Sequence, residues 1–226
     1  MTTLILILAA TTVWDGVYTS GQADRGKTAY ESHCSVCHRS DLGGGEARPL
    51  VGEKFWESWG EDDLSSLFDV IRLKMPASAP HSLTDATYLD ILAYVLQRND
   101  YPAGARELTM QTVNGIQVVG KDGPAPVPNF SLVRAVGCLE ESVSGTWLLT
   151  RSSDPFRTRD PAPSQGNERD RSLATALGEH VFTLLDAYDQ PAGHAGQKAE
   201  VKGLLMRGTP NRINFSSLQI LSPSCR

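Results

Sequence analysis

Apolar residues recur at helical spacing between residues 22 and 100, and give way to short alternating segments beyond Pro102. The clearest helical stretch is Asp85–Arg98, where Tyr88, Ile91, Leu92, Val95 and Leu96 fall on one face at i, i+3, i+4 and i+7. Thr84 stands where its N-cap belongs, and Asn99 and Pro102 end it. Two further helices are predicted, one from Gln22 to Cys34 and a shorter one from Leu64 to Leu73, capped by Asp62 or Asp63. The later part predicts five strands: Leu132–Glu140, Gly145–Arg151, His180–Asp186, Gln197–Met206 and Ile213–Leu221. In the fourth, Ala199, Val201, Gly203 and Leu205 alternate with Lys198, Glu200, Lys202 and Leu204, a period of two that marks one buried and one wet face. Residues 152–172 are polar and rich in Pro, Arg and Asp, and read as a long exposed loop.

These patterns divide the chain. Residues 21–103 form an all-α domain, 104–129 a linker ending in the stiff Gly123-Pro-Ala-Pro-Val-Pro-Asn129, and 130–226 a small all-β domain. Residues 1–20 read as a leader: Leu4–Ala10 is apolar but far below the ~20 residues of a membrane helix. A secretory signal fits better, although the basic n-region is missing. No other stretch is suited to spanning a bilayer.

The net charge of -5 argues against nucleic acid, which asks for a basic face. The first 100 residues hold 8 Lys/Arg against 14 Asp/Glu, and the rest hold 13 against 12. The acidic part would steer toward a basic docking surface if its charge is not simply a solvated face.

The most informative motif is Cys34-Ser-Val-Cys37-His38, the C-x-x-C-H pattern of c-type haem attachment. Two thiols add to the two vinyl groups of one porphyrin edge. One helical turn presents both sulfurs, and the next residue aims its imidazole at the iron. This predicts one covalent haem c with His38 as an axial ligand, its other ring nitrogen needing an acceptor. A zinc site would need a fourth ligand, for which His33 is awkward, and no second C-x-x-C exists. A thioredoxin-like site would need a βαβ pattern, which is absent. Haem attachment of this kind implies a periplasmic or secreted protein. There the remaining pair, Cys138 and Cys225, favours a disulfide over two buried thiols.

Residues 22–100 resemble the class I, single-haem cytochromes c. Gly26, Tyr30 and Cys34 at i, i+4 and i+8 match the family's first helix, and Asp90-Ile-Leu-Ala-Tyr94-Val resembles its last. Pro49-Leu-Val-Gly52 resembles the loop that follows the haem motif, and the resemblance implies that the Pro49 carbonyl accepts from His38. Met75-Pro76, 37 residues after His38, is similar to the family's sixth-ligand loop; Met/His ligation raises the reduction potential. His81 is the rival sixth ligand. Trp56, Trp59 and Phe55 either wall the haem or simply pack, and Arg48 either pairs with a propionate or is solvated.

With both axial positions filled, the expectation is a carrier of electrons, not an enzyme. Val13-Trp14-Asp15-Gly16-Val17-Tyr18-Thr19 looks like bacterial cytochromes that accompany quinoprotein dehydrogenases, which implies redox partner proteins: a dehydrogenase upstream and a respiratory acceptor downstream. In the β domain, Gly137-Cys138-Leu139, Gly145-Thr-Trp-Leu-Leu and Val201-Lys-Gly203-Leu-Leu resemble strands of OB-like barrels, a β-sandwich being the alternative. His180 and His194 stand alone, and Arg151, Arg157, Arg159, Arg169 and Arg171 are balanced by Asp154, Asp160, Glu168 and Asp170. Two other functions stay open: a sensor or enzyme with an open sixth site, and a binding module in which the β domain does the main work.

Overall fold

A computed structural model describes residues 11–185 and 191–225. The chain divides into two compact units at Pro124.

The first unit is helical. Helices α1 (Ser20–His33), α2 (Ser35–His38), α3 (Gly52–Trp59), α4 (Leu64–Lys74) and α5 (Asp85–Arg98) follow in order. Side-chain caps start three of them. Thr19 accepts from Gln22 N–H, Asp63 from Ser65 N–H and Thr84 from Thr87 N–H, each satisfying one of the orphan donors of a first turn. The four-residue α2 is too short to show a period, and α3 shows one only through Phe55, Trp56 and Trp59 over two turns. Helices α1 and α5 cross at Gly26. A Cβ there would lie 1.8 Å from the Asp90 carbonyl oxygen, so only glycine permits the approach. Tyr30 and Tyr94 pack beside the crossing with ring centroids 5.4 Å apart, and on its rim Arg25 forks onto Asp90 at 2.9 and 3.0 Å.

The expected leader and linker boundaries do not match the packing. Residues 1–10 lie outside the described residues, but Thr11–Thr19 belong to the helical unit. Val13 is wholly buried, and the Tyr18 hydroxyl donates to the Tyr101 carbonyl at 2.6 Å. Gly16 and Gly104 meet backbone to backbone: a Cβ on Gly104 would fall 1.9 Å from the Gly16 oxygen. The expected linker 104–129 is likewise mostly structured. Leu108, Val113, Ile116 and Val118 enter the helical core. Buried Gln22 clamps Leu108 by both backbone groups, at 2.8 and 2.9 Å. Residues 116–118 lie between two other backbones, Gln117 bonding to Thr11 and Val13, Val118 to Asp62 and Glu61, and Ile116 to Leu64. The apolar residues of this wrap follow neither a 3.6 nor a 2.0 period, because it is an irregular strap whose backbone bonds go to neighbours on both sides.

The second unit begins at Ala125. All five expected strands are present within one or two residues: β1 (Leu132–Glu141), β2 (Trp147–Ser152), β4 (His180–Leu185), β5 (Lys198–Met206) and β6 (Arg212–Ser222). Asp186, the expected end of the third, lies outside the described residues. A short β3 (Phe156–Arg157) is added on β1. The pairings β1–β2, β2–β4, β4–β6, β6–β5 and β5–β1 close on themselves, with β4–β6 parallel and the rest antiparallel. This is one ring of five strands, not the two facing sheets of a sandwich. Gly137 and Gly203 sit where strands press together; a Cβ on Gly203 would meet the Asn214 oxygen at 2.2 Å. The interior holds Val133, Ala135, Leu139, Leu149, Phe182, Val201, Leu205 and Ile213. Cys138 and Cys225 form the expected disulfide, 87 residues apart in sequence. A cross-link over so long a loop stabilises by about 4–5 kcal/mol in the chain-entropy account.

One face of this unit departs from expectation. Glu200 and Lys202 are not on a wet face; their side chains are 1% and 0% exposed. The segment read as an open loop contains helix α6 (Gly166–Ala174), which covers them. Lys202 Nζ donates to both oxygens of Glu168 at 3.1 and 3.2 Å. Ser172 donates to Glu200, whose other oxygen accepts from Ser164 N–H, and Arg134 donates to Ser172 at 3.2 Å. The layer between helix and sheet is therefore ionic, which is why α6 carries no apolar stripe to betray it. Charges removed from water need such partners, since an unpaired one costs several kcal/mol.

Two outcomes follow for the helical unit. Gly26→Ala should destabilise it by more than about 3 kcal/mol in denaturant melts, because neither backbone can yield to the added carbon. Burial pushes Tyr18 and Tyr101 up to about 12 from the ordinary 10. Their contribution is therefore intact below pH 10 and is lost as the pH rises through 12. The thermal midpoint should fall between pH 10 and 12. Tyr18→Phe should be less stable at pH 8, by about 1 kcal/mol for the lost hydrogen bond, and should show a shallower fall above pH 10.

Candidate haem-binding site

The haem motif occupies the turn at which α1 ends. Cys34 N–H still bonds the Tyr30 carbonyl at 2.8 Å, while Cys37 and His38 N–H both return to the Cys34 carbonyl, at 3.2 and 3.0 Å. That single turn puts both thiols and the imidazole on one short scaffold. Both cysteines are unpaired and half-buried, and Val36 between them is 86% exposed. Burial, and then the neighbouring Cys37, push the Cys34 thiol up to about 11, so it is fully protonated at neutral pH. Addition of a thiol across a vinyl group consumes S–H and forms C–S and C–H bonds, so it asks for reduced, unpaired cysteines such as these.

The ring of His38 is fixed from outside. Its Nδ1 lies 2.8 Å from a backbone carbonyl. A carbonyl only accepts, so Nδ1 carries the proton and Nε2 keeps its lone pair for a metal. The acceptor is the carbonyl of Arg48, one residue before the expected Pro49. It belongs to the Arg48–Pro49 amide, held there because Gly44, at φ +83°, packs against the Pro49 ring with no room for a Cβ. Arg48 is thus placed by its backbone, and its side chain is exposed.

The loop from Arg39 to Val51 is held at several points. Ala47 and Gly44 N–H bond the carbonyls of Cys37 and His38, both at 3.1 Å. The Tyr30 hydroxyl donates to Arg39, and buried Leu42 accepts from Leu50 N–H. The far end is held by Asn99, which caps α5. Its Nδ2 donates to the Leu50 and Val95 carbonyls at 2.9 Å, and its Oδ1 accepts from Gly52 N–H at 3.1 Å. The sequence offered Asn99 only as a helix terminator; its reach to a loop 49 residues away has no local signature.

Met75 is the C-cap of α4, its N–H bonded to the Ile71 carbonyl and its side chain half-buried. His81 stands exposed in the left-handed region at φ +60°. Trp59 and Phe55 are core residues, and Trp56 packs against that core from its edge. Among the described residues, no three His, Cys, Asp or Glu side chains cluster as a metal cage.

The donor set fits a c-type haem: two free thiols one turn apart, and an imidazole with its outer nitrogen satisfied and its inner one available. Residues 21–95 match the family model described as cytochrome c oxidase, cbb3-type, subunit III. That helical segment is similar to a cytochrome c domain and is followed by a sheet-rich unit, and the match supports haem-based electron transfer in general. No curated protein and no solved structure matches the chain.

Asn99→Ala should lower stability by about 1–3 kcal/mol in denaturant melts, since it strands the Leu50 carbonyl and Gly52 N–H. Asn99→Asp should cost more, because a carboxylate would face two carbonyls in place of their donor.

Proposed function

We propose that this chain binds a single haem through thioethers from Cys34 and Cys37, with His38 and Met75 as axial ligands, and shuttles electrons between redox partner proteins. The observation that carries the reading is the His38 Nδ1–Arg48 bond on the same turn as two unpaired thiols. When bound, the haem supplies a one-electron couple at its iron. The protein holds both ligands, excludes water and sets the potential. His38 is held by Arg48 and, through the loop, by Asn99. Met75 is offered from the end of α4, and Pro76 stops the helix so that the chain can turn away there. Trp56 and Arg48 are candidates to border the haem and meet a propionate, with Trp59 and Pro49 packing behind.

Cytochrome c domains are typically extracytoplasmic, and the Cys138–Cys225 disulfide supports the periplasmic or secreted location. No helix among the described residues is long and apolar enough to cross a membrane. The pathway runs from a dehydrogenase, of the quinoprotein kind suggested by Val13–Thr19, to a respiratory acceptor. The ring of five strands, in the order β1-β2-β4-β6-β5, supports an OB-like barrel for the second unit. Its role here is docking of a protein partner.

The direct test is the mass of the denatured protein after expression with haem-attachment machinery. The intact chain should carry one haem, and Cys34→Ala/Cys37→Ala none. A chain without covalent haem in the unaltered protein would overturn the proposal.

A further inference from the structure

Met75 and Leu83 bracket a nine-residue loop between α4 and α5. The loop leaves α4 at Met75 and rejoins the core at Leu83, which packs partly buried against it. Residues 77–82 between them are exposed. A ligand offered from such a segment needs its ends fixed, because ordering a free loop costs about 1–2 kcal/mol per residue. The two ends are joined by one side chain. Tyr88 on α5 is 1% exposed, and its hydroxyl donates to the Met75 carbonyl at 2.8 Å while accepting from Leu83 N–H at 3.2 Å. With the Met75 N–H already bonded to Ile71, both backbone groups of Met75 are then occupied. A second closure lies at the base, where Arg72 Nε donates to Asp85 Oδ1 at 2.6 Å. That pair is partly exposed and ties helix to helix, whereas the Tyr88 hydroxyl touches the ligand residue itself.

We infer that Tyr88 is a positioning residue for the sixth ligand, its hydroxyl stapling the two ends of the Met75 loop so that the thioether is held ready to bind. The inference rests on the reading of Met75 as a ligand. Tyr88→Phe keeps the buried ring and removes both hydrogen bonds of the hydroxyl. The Met-bound state then loses about 0.5–1.5 kcal/mol relative to the state with the loop released. A competing ligand sees this as a lowered barrier of population, so its apparent affinity rises about 2- to 12-fold.

The probe is imidazole added to the oxidised holoprotein, followed in every variant by the shift of the main haem absorption band and, where Met75 is present, also by loss of the weak far-red band that reports Met–iron bonding. The unaltered protein and Tyr88→Phe are compared, each also carrying Met75→Ala, with far-UV melts as a check of the fold. Tighter imidazole binding on Tyr88→Phe with Met75 present, and no difference in the Met75→Ala pair, is the expected result. Equal affinities with Met75 present would overturn the inference. An equal gain in both backgrounds would also overturn it, since it would show general loosening of the site. Should Tyr88→Phe melt too low to load haem, Leu83→Pro is compared with Leu83→Ala: both lose the packed leucine side chain, only Leu83→Pro also loses the N–H that the hydroxyl accepts from, and it should give a smaller gain of the same kind over Leu83→Ala. The absence of any gain on that variant would count against the staple. If Met75→Ala alone retains the far-red band, the ligand reading fails first, and the role of Tyr88 falls with it.

Discussion

Everything in the helical unit depends on the crossing of α1 and α5 at Gly26. Because no side chain separates the two backbones there, the last helix lies directly on the first, and each brings its own cargo. Helix α1 delivers Cys34 at its final turn, with Cys37 and His38 following. Helix α5 carries Tyr88 near its start and Asn99 at its cap, which reach the Met75 loop and the loop after the haem motif respectively. A rigid rod about four turns long thus holds both loops by hydrogen bonds to their backbones. The side chains that do this holding, Tyr88 and Asn99, are not among the proposed ligands. The rim pair of Arg25 with Asp90 sits at the crossing but is half-exposed on the arginine side, so it adds little beside the packing.

The same economy explains the strap. Helices α1, α3, α4 and α5 packed together leave apolar surface still to be covered. Val13, Leu108, Val113, Ile116 and Val118 cover it, drawn from both ends of the unit. Their backbone groups pair with one another and with the turn before α4. The family match covers residues 21–95, and the strap and the N-terminal segment from Thr11 lie outside it. The second unit solves a different problem with a ring of strands, glycines at the points of closest contact, a disulfide, and a polar helix laid over a charged face.

Much of this was legible in the sequence where a period or a spacing carried it. Helices α1, α4 and α5, the Thr84 cap, all five principal strands and the Cys138–Cys225 bridge follow from repeats of 3.6 or 2.0 and from cysteine arithmetic. Cys34, Cys37 and His38 were legible because the C-x-x-C-H spacing is itself a motif. What escaped depends on contacts distant in sequence. Glu200 and Lys202 alternate like a solvated face, and only α6, itself polar, makes that face an interior. Leu108 and Val118 lie in a stretch rich in turn formers, so nothing local distinguishes strap from linker. The acceptor for His38 moved from Pro49 to Arg48 because a one-residue shift in a loop leaves no trace in composition. Tyr88 and Asn99 read as core and cap, which they are, and their second tasks exist only in three dimensions.

The central claim is that one haem sits between His38 and Met75 with no open position. The most direct test is the absorption spectrum of the purified holoprotein, oxidised and reduced, with carbon monoxide added to the reduced form. A low-spin spectrum with the far-red Met–iron band in the oxidised state, and a reduced spectrum that carbon monoxide leaves unmoved, is the predicted result. A high-spin iron, or a reduced spectrum shifted at once by carbon monoxide, would contradict the account and make the chain a binder of small ligands.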